Sequence, residues 1–312
     1  MLFETLHPAS CLELLRYADI DQFRQSERYA GAESMPLRGG RFEILRAHLA
    51  LPDGALSLVR TFPRLIRGYD LSGRLVMVVP MDRISSVRIN GREIGQAIVV
   101  VKGVANCTVY EPEGRLVAIL AIRPDAAAMT WPDFDHGWML LHLPADELGR
   151  LQLHISSVFE SAAKSPAATR ADDARTAIQE ALLDAIASAL VAGEIDRSEA
   201  RARYKEIVDH IERTMQGRQA ADFYCAALAS ELGVSVRTLS SAVHAVCGTS
   251  PLRYSQLRRL WAVRRQLRQG APGLTVRASA LAHGFGHMGD FSKLYRSVIG
   301  ELPSQTLANA RT

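Results

Sequence analysis

Apolar and polar positions follow three rhythms along this chain. From Arg41 to Arg123 the apolar residues come in short runs broken by turn signals. RFEILRAHLAL and ALSLVRTF flank Pro52-Asp53-Gly54, a turn between two strands. RLVMVVPM follows, then SSVRIN and GREIGQAIVVV meet at Asn90-Gly91, a hairpin turn. NCTVYEPEG and RLVAILAI are joined by another proline-and-glycine turn. Six or so such strands predict an antiparallel sandwich or barrel that ends near Arg123. Gly91, Gly95 and Gly103 are spaced as turn and bulge glycines within it. Residues 1–37 show no clean period and read as irregular, with a short helix near Leu12 to Phe23.

Trp131-Pro132 and Trp138 mark the exit from that barrel, and beyond Pro144 the period becomes helical. Leu148, Leu151, Ile155, Val158, Phe159 and Ala162 form one stripe behind Asp146 and Glu147. After a break at Ser165 to Thr169, a second stripe carries Ile178, Leu182, Ile186 and Leu190. Gly193 stands at its helix-terminating position. The two stripes suit either packing on the barrel or a dimer surface.

The third rhythm is a repeat. Ser198 to Met215 is an amphipathic helix with Ile207, Ile211 and Met215 on one face, and Asp222 can cap the helix after it. LASELGVSVRTLSSAVHAV, Leu228 to Val246, and LAHGFGHMGDFSKLYRSV, Leu281 to Val298, then give the same signal twice. Each is a small-residue helix, a glycine turn and a second polar helix. In the first copy Gly233 allows the turn, Val234 plugs the core and Ser235 caps the second helix. Leu239 and Val243 point inward by i, i+4 spacing, which leaves Arg237, Thr238, Ser240, Ser241 and His244 facing out. Two helix-turn-helix units predict a reader of double-stranded DNA. The stretch between them, Pro251 to Arg268, is about 27 Å long as a helix, which suits readers ~34 Å apart on one face of the duplex.

Charge sharpens this picture. The 312 residues carry a net +4, but Arg201 onward holds 16 Lys+Arg against 7 Asp+Glu, a net of +9. The preceding residues hold 21 against 26, a net of −5. A basic C-terminal third on an acidic remainder fits one segment meeting a polyanion. Cys11, Cys107, Cys225 and Cys247 are scattered, as free thiols in a reducing cytosol are. The N-terminus lacks the pattern of a signal peptide, and the longest apolar runs are too short to span a membrane. A cytoplasmic protein is expected. His7, His48, His136, His142 and His154 have no metal-ligand spacing, and no nucleophile elbow or phosphate loop is present. The barrel is thus expected to bind a small molecule rather than to catalyse, with no metal and no cofactor.

At Cys225 to Pro303 the residues resemble the C-terminal DNA-binding domain of AraC/XylS-family transcription regulators. The resemblance rests on ALASELGVSVRTLSSAV and on a turn into a spacer helix at Gly248, Ser250, Pro251 and Tyr254. It continues through Leu257, Arg258, Leu260, Ala262 and Leu267. It ends on Gly284, Phe285, Phe291, Lys293, Tyr295, Arg296, Gly300 and Pro303, and the N-terminal part is loosely similar to ethanolamine-operon regulators. The resemblance implies an α+β multidomain chain. A cupin-like antiparallel β-barrel sensor would occupy 1–143, a helical linker or dimerisation region 144–197, and an all-α double helix-turn-helix domain 198–312. It makes Arg237, Ser240 and Ser241 base-facing in the first unit, and His287, Met288, Asp290, Ser292 and Lys293 in the second, with Arg296 on phosphate. Asp290 repels phosphate unless it accepts from cytosine or caps its helix. Ser279 and Val243 depart from the family's larger core residues, so both units are expected to be underpacked. Expected partners are operator DNA, a small-molecule effector, RNA polymerase and a second copy in a homodimer, with activation or repression of transcription as the output. The rival readings are a DNA-targeted enzyme, such as a cysteine alkyl-transfer repair fusion using Cys11 or Cys107, and an effector-independent DNA-binding protein.

Overall fold

The structure is a computed structural model. It describes residues 3, 6, 12–17, 22–23, 33–37, 43–84, 86–126, 137–165, 171–196, 202–217 and 225–311. Cys11, His7, His136, Trp131, Pro132 and Asp222 lie outside the described residues.

Eleven strands form one antiparallel sheet among the described residues. β1 (Leu12–Tyr17), β2 (Glu33–Pro36), β3 (Ile44–Leu51), β4 (Gly54–Arg60) and β5 (Arg64–Pro80) come first. β6 (Arg88–Ile89), β7 (Arg92–Glu93), β8 (Ile98–Glu111) and β9 (Leu116–Ile122) follow, then β10 (Trp138–His142) and β11 (Glu194–Asp196). The expected turns hold. β3 and β4 pair up to Leu51 opposite Gly54, and Asn90 and Gly91, both at positive φ, close β6 onto β7. The long strands β5 and β8 bend together, with register shifts after Arg67 and Asp70 and positive-φ glycines at Gly68, Gly73 and Gly103. Glycine reaches these angles without a Cβ clash, and the bends roll the sheet up.

Two expectations fail here. Leu12–Tyr17 is a strand paired along its whole length with β3, not the start of a helix; six ladder partners outweigh a weak local preference. Nor does the sheet end near Arg123. β10 adds beside β8, and β11 returns to pair with β10. Between those strands run α1 (Ala145–Lys164) and α2 (Asp172–Ala192), whose stripes pack on the outer face of the sheet. Leu151, Ile155 and Phe159 meet Leu182 and Ile186 over Leu56, Met77 and Leu120, so packing on the barrel is the observed outcome. α2 ends at Gly193, whose φ of −95° is ordinary. Its role is close approach, because a Cβ there would sit 2.5 Å from the Leu141 side chain.

The remaining chain is helical: α3 (Ala202–Gly217), α4 (Cys225–Glu231), α5 (Val236–Cys247), α6 (Pro251–Arg268), α7 (Val276–Ala282), α8 (Met288–Ile299) and α9 (Pro303–Asn309). One buried cluster runs without a break from Met35, Phe62 and Leu65 of the sheet into Ile211, Val246 and Leu257 of these helices. At that seam the carboxylate of Glu212, 2% exposed, pairs with Arg67 of β5 and, at 2.8 Å, with Arg258 of α6. It also accepts from the Tyr254 hydroxyl. Arg258 reaches back to Glu33 of β2 at 2.6 Å. Burial opposes the Arg258 charge, but Glu212 and Glu33 outweigh it and raise the pKa above the usual arginine value. Glu212→Ala removes the shared counter-charge of two largely buried guanidinium groups. Such a loss is expected to cost ~3–5 kcal/mol, read as a lower urea midpoint by tryptophan fluorescence. An unchanged midpoint would contradict this account of the seam.

Candidate nucleic-acid interface

The helical part sets its exposed helix faces through caps and small cores. Ser235 accepts from the Thr238 N–H at 3.0 Å and starts α5, while Gly233, at φ 62°, makes the turn before it. Thr275 starts α7 in the same way, accepting from Ala278 at 3.1 Å. Ser250 and Pro251 start α6. Glycines in the left-handed region, Gly248 and Gly300, end α5 and α8. α5 rests on α3 and on the long α6; α7 and α9 pack on α6, and α8 packs on α7 and α9.

Leu239 and Val243 are fully buried under α5, as i, i+4 spacing requires. Arg237, Ser240, Ser241 and His244, at i, i+3, i+4 and i+7, share its outer face; Ser240 is half-buried and the other three are exposed. Thr238 is turned toward the cap, its hydroxyl 2.9 Å from the Ser235 oxygen. On α8 Phe291 and Tyr295 are buried, while His287, Asp290, Lys293 and Arg296 are exposed, with Met288 and Ser292 half-buried. Asp290 lies in the first turn, where the helix dipole favours an acid, and the N-cap residue His287 makes no capping bond.

Counted from their N-caps Ser235 and His287, the two helices correspond position by position. Ser240 corresponds to Ser292, Ser241 to Lys293 and His244 to Arg296, each on the outward face. Arg237 corresponds to Gly289, so the second reader has no side chain where the first has its arginine. Counting from Ser235 and from His287 would have revealed this in the sequence.

Several expectations change. Ser279 is fully buried, and its hydroxyl donates to Gln266 Oε1 at 2.5 Å, so the buried polar group is satisfied. Val243 is likewise fully buried. Among the spacer arginines, Arg258 is tied into the Glu212 seam and Arg264 is buried beside Trp261. Arg259 lies over Phe285 and donates to the Gly284 carbonyl at 3.3 Å; Arg265 and Arg268 remain exposed. The Cys107 thiol is buried, and burial pushes its pKa up to about 12, which disfavours the nucleophilic thiolate. Among the described residues no group of His, Cys, Asp and Glu could hold a metal ion, and no helix is long and apolar enough to cross a membrane.

The rolled sheet encloses a second feature, a cavity of about 110 Å³. Its wall is apolar, including Ile66, Val76, Ile89, Val109 and Val117, with the buried Arg64–Glu111 pair, at 2.7 Å, and Arg115 among the polar lining residues. At roughly 10–15 Å³ per water-sized group, the space holds about seven to eleven such groups.

Residues 228–309 match the family model of a helix-turn-helix domain. The XylDLEGF operon transcriptional activator 2 of Pseudomonas putida is 38% identical over 76 residues, which is 24% of this chain and 48% of that protein. The XylDLEGF operon transcriptional activator of the same organism is 32% identical over 117 residues, 36% of this chain and 35% of that protein. The chain thus spans about half, or less, of the curated relatives it matches. Among solved structures, a probable AraC family transcriptional regulator from Rhodopseudomonas palustris is 32% identical, covering 34% of this chain and 99% of that one, with a TM-score of 0.32. ToxT from Vibrio cholerae is 12% identical, covering 90% and 98%, with a TM-score of 0.32.

Arg237 stands exposed at the head of the outward face of α5, and a guanidinium so placed is able to make a bidentate contact to a guanine edge. Arg237→Ala is expected to cost ~1–3 kcal/mol on a selected duplex and to relax the preference at one base position. An unchanged affinity and base preference in a binding assay would remove Arg237 from the readout.

Proposed function

We propose that this chain, whose C-terminal domain is a helix-turn-helix domain of the AraC/XylS type, is a sequence-specific DNA-binding transcription regulator of the cytoplasm. In this reading 198–312 binds two successive major grooves, 1–143 is the effector-sensing barrel, and 144–197 connects the two. Arg237, Ser240, Ser241 and His244 read bases from α5. His287, Met288, Asp290, Ser292 and Lys293 line the second contact, and Arg296 meets phosphate. Operator DNA, a small-molecule effector, RNA polymerase and a second copy are the partners. The α1 and α2 stripes are already buried on the sheet, so a homodimer would use other surface.

The observation that carries the sensing half is that one wall faces two ways. On β5, Arg64 and Ile66 line the cavity while Leu65 and Arg67 face the helical part. On β8, Val109 and Glu111 line the cavity, and Tyr110 between them packs on the turn after α5. A ligand that fits one arrangement of this wall better than another shifts the population of reader orientations by its differential affinity. Burial of Cys107, the candidate nucleophile among the described residues, weighs against the enzyme reading.

The test is selection of bound duplexes from a randomised pool by the full chain, followed by titration of the selected duplex with a small-molecule library. Enrichment of one sequence, bound at least ~10³-fold more tightly than scrambled DNA, and a compound that shifts this affinity, are expected. A recovered pool with no sequence bias would overturn the regulator reading; a biased pool that no compound affects would overturn the effector alone.

A further inference from the structure

We infer that the barrel completes the first reader, and that Arg88 of β6 is a positioning residue for the recognition helix α5. The inference rests on the reading of α5 as the base-contacting helix. The last four carbonyls of a helix have no partner within it. At the end of α5 two of these carbonyls are met from outside the domain. Arg88 Nη1 donates to the His244 carbonyl at 3.2 Å and to the Ala245 carbonyl at 2.9 Å. The guanidinium also brings a positive charge to the negative end of the helix dipole.

Three further contacts hold this arrangement. The Arg88 guanidinium stacks 4.4 Å from the centre of the Tyr110 ring, which fixes its plane. The same ring lies against Gly248, the left-handed residue that ends α5; a Cβ there would meet the ring at 2.0 Å. The Asn90-Gly91 turn seats on the last turn of α5, where a Cβ on Gly91 would lie 3.3 Å from Ala245 and Val246. This hairpin is itself pinned to β8. The Asn90 N–H donates to the Thr108 carbonyl at 2.9 Å, and Asn90 Oδ1 accepts from the Thr108 N–H at 2.9 Å.

α5 is already closed by its own Gly248, whose N–H donates to the His244 carbonyl at 3.0 Å, so the helix does not need Arg88 in order to end. What Arg88 adds is a fixed direction for the turn that carries His244 on the reading face. Ile89, the next residue, lines the cavity, which places this clamp one position from the ligand space.

The test compares full-length wild type, Arg88→Ala and Arg88→Lys on a duplex that the wild type selects from a random pool, by fluorescence anisotropy over a range of salt. Arg88→Ala is expected to weaken binding roughly three- to tenfold with the salt slope unchanged, and Arg88→Lys, which keeps the charge and the donors, to recover most of it. A slope reduced by about one would mean that Arg88 touches phosphate, and would overturn the inference; so would equal or tighter binding by Arg88→Ala. Hydrogen exchange of residues 244–248 reads the clamp without DNA. It should quicken in Arg88→Ala while α3 stays protected, and unchanged exchange overturns the clamp even if the wild type selects no duplex, a result that would by itself sink only the regulator reading.

Discussion

Glu212 is the constraint on which the rest of the molecule depends. Its buried carboxylate answers Arg67 from the sheet, Arg258 from the spacer helix and the Tyr254 hydroxyl at once. A charge at 2% exposure persists in a protein interior only when such partners surround it. Because those partners come from both halves of the chain, they fix where the sheet stands relative to α5 and α6. The apolar cluster around them, from Leu65 to Leu257, supplies burial but no direction. Charged and hydrogen-bonded groups give the seam its geometry.

From that seam the functional layout follows. β5, β6 and β8 form a thin wall with the cavity on one side and α3, α5 and α6 on the other, and period-two alternation along each strand assigns its residues to one face or the other. The reader beyond it is asymmetric. Arg237 heads the first recognition helix, whereas Gly289 holds the same place in the second and leaves contact to Lys293 and Arg296 further along. In the proposed function the first helix therefore does the discriminating, and the second holds a basic face against the duplex.

Much of this was legible in the sequence, and the unreadable parts share a cause. Turns and caps are local chemistry, so Asn90-Gly91, Ser235, Gly233 and Gly248 stand where their spacing placed them. The outward face of α5 followed from period alone. Leu12–Tyr17 is illegible locally because a strand of this kind is decided by its partner, β3, which begins 27 residues after it ends. β10 and β11 were missed for the same reason, since their partners lie on either side of two helices. The spacer arginines look alike in sequence, and only tertiary neighbours separate Arg258 and Arg264, drawn inward, from Arg265 and Arg268. The hydroxyl of Ser279 looks unsatisfied in sequence, and its partner Gln266 stands 13 residues earlier, across the α6–α7 junction.

The central claim is that two unequal readers on one spacer engage one face of a duplex together. Hydroxyl-radical footprinting of the full chain on its selected duplex tests this most directly. The account requires two protected patches about one helical turn, ~10 bp, apart, with the patch over α5 carrying the stricter sequence. A single patch, or two patches on opposite faces, would contradict it.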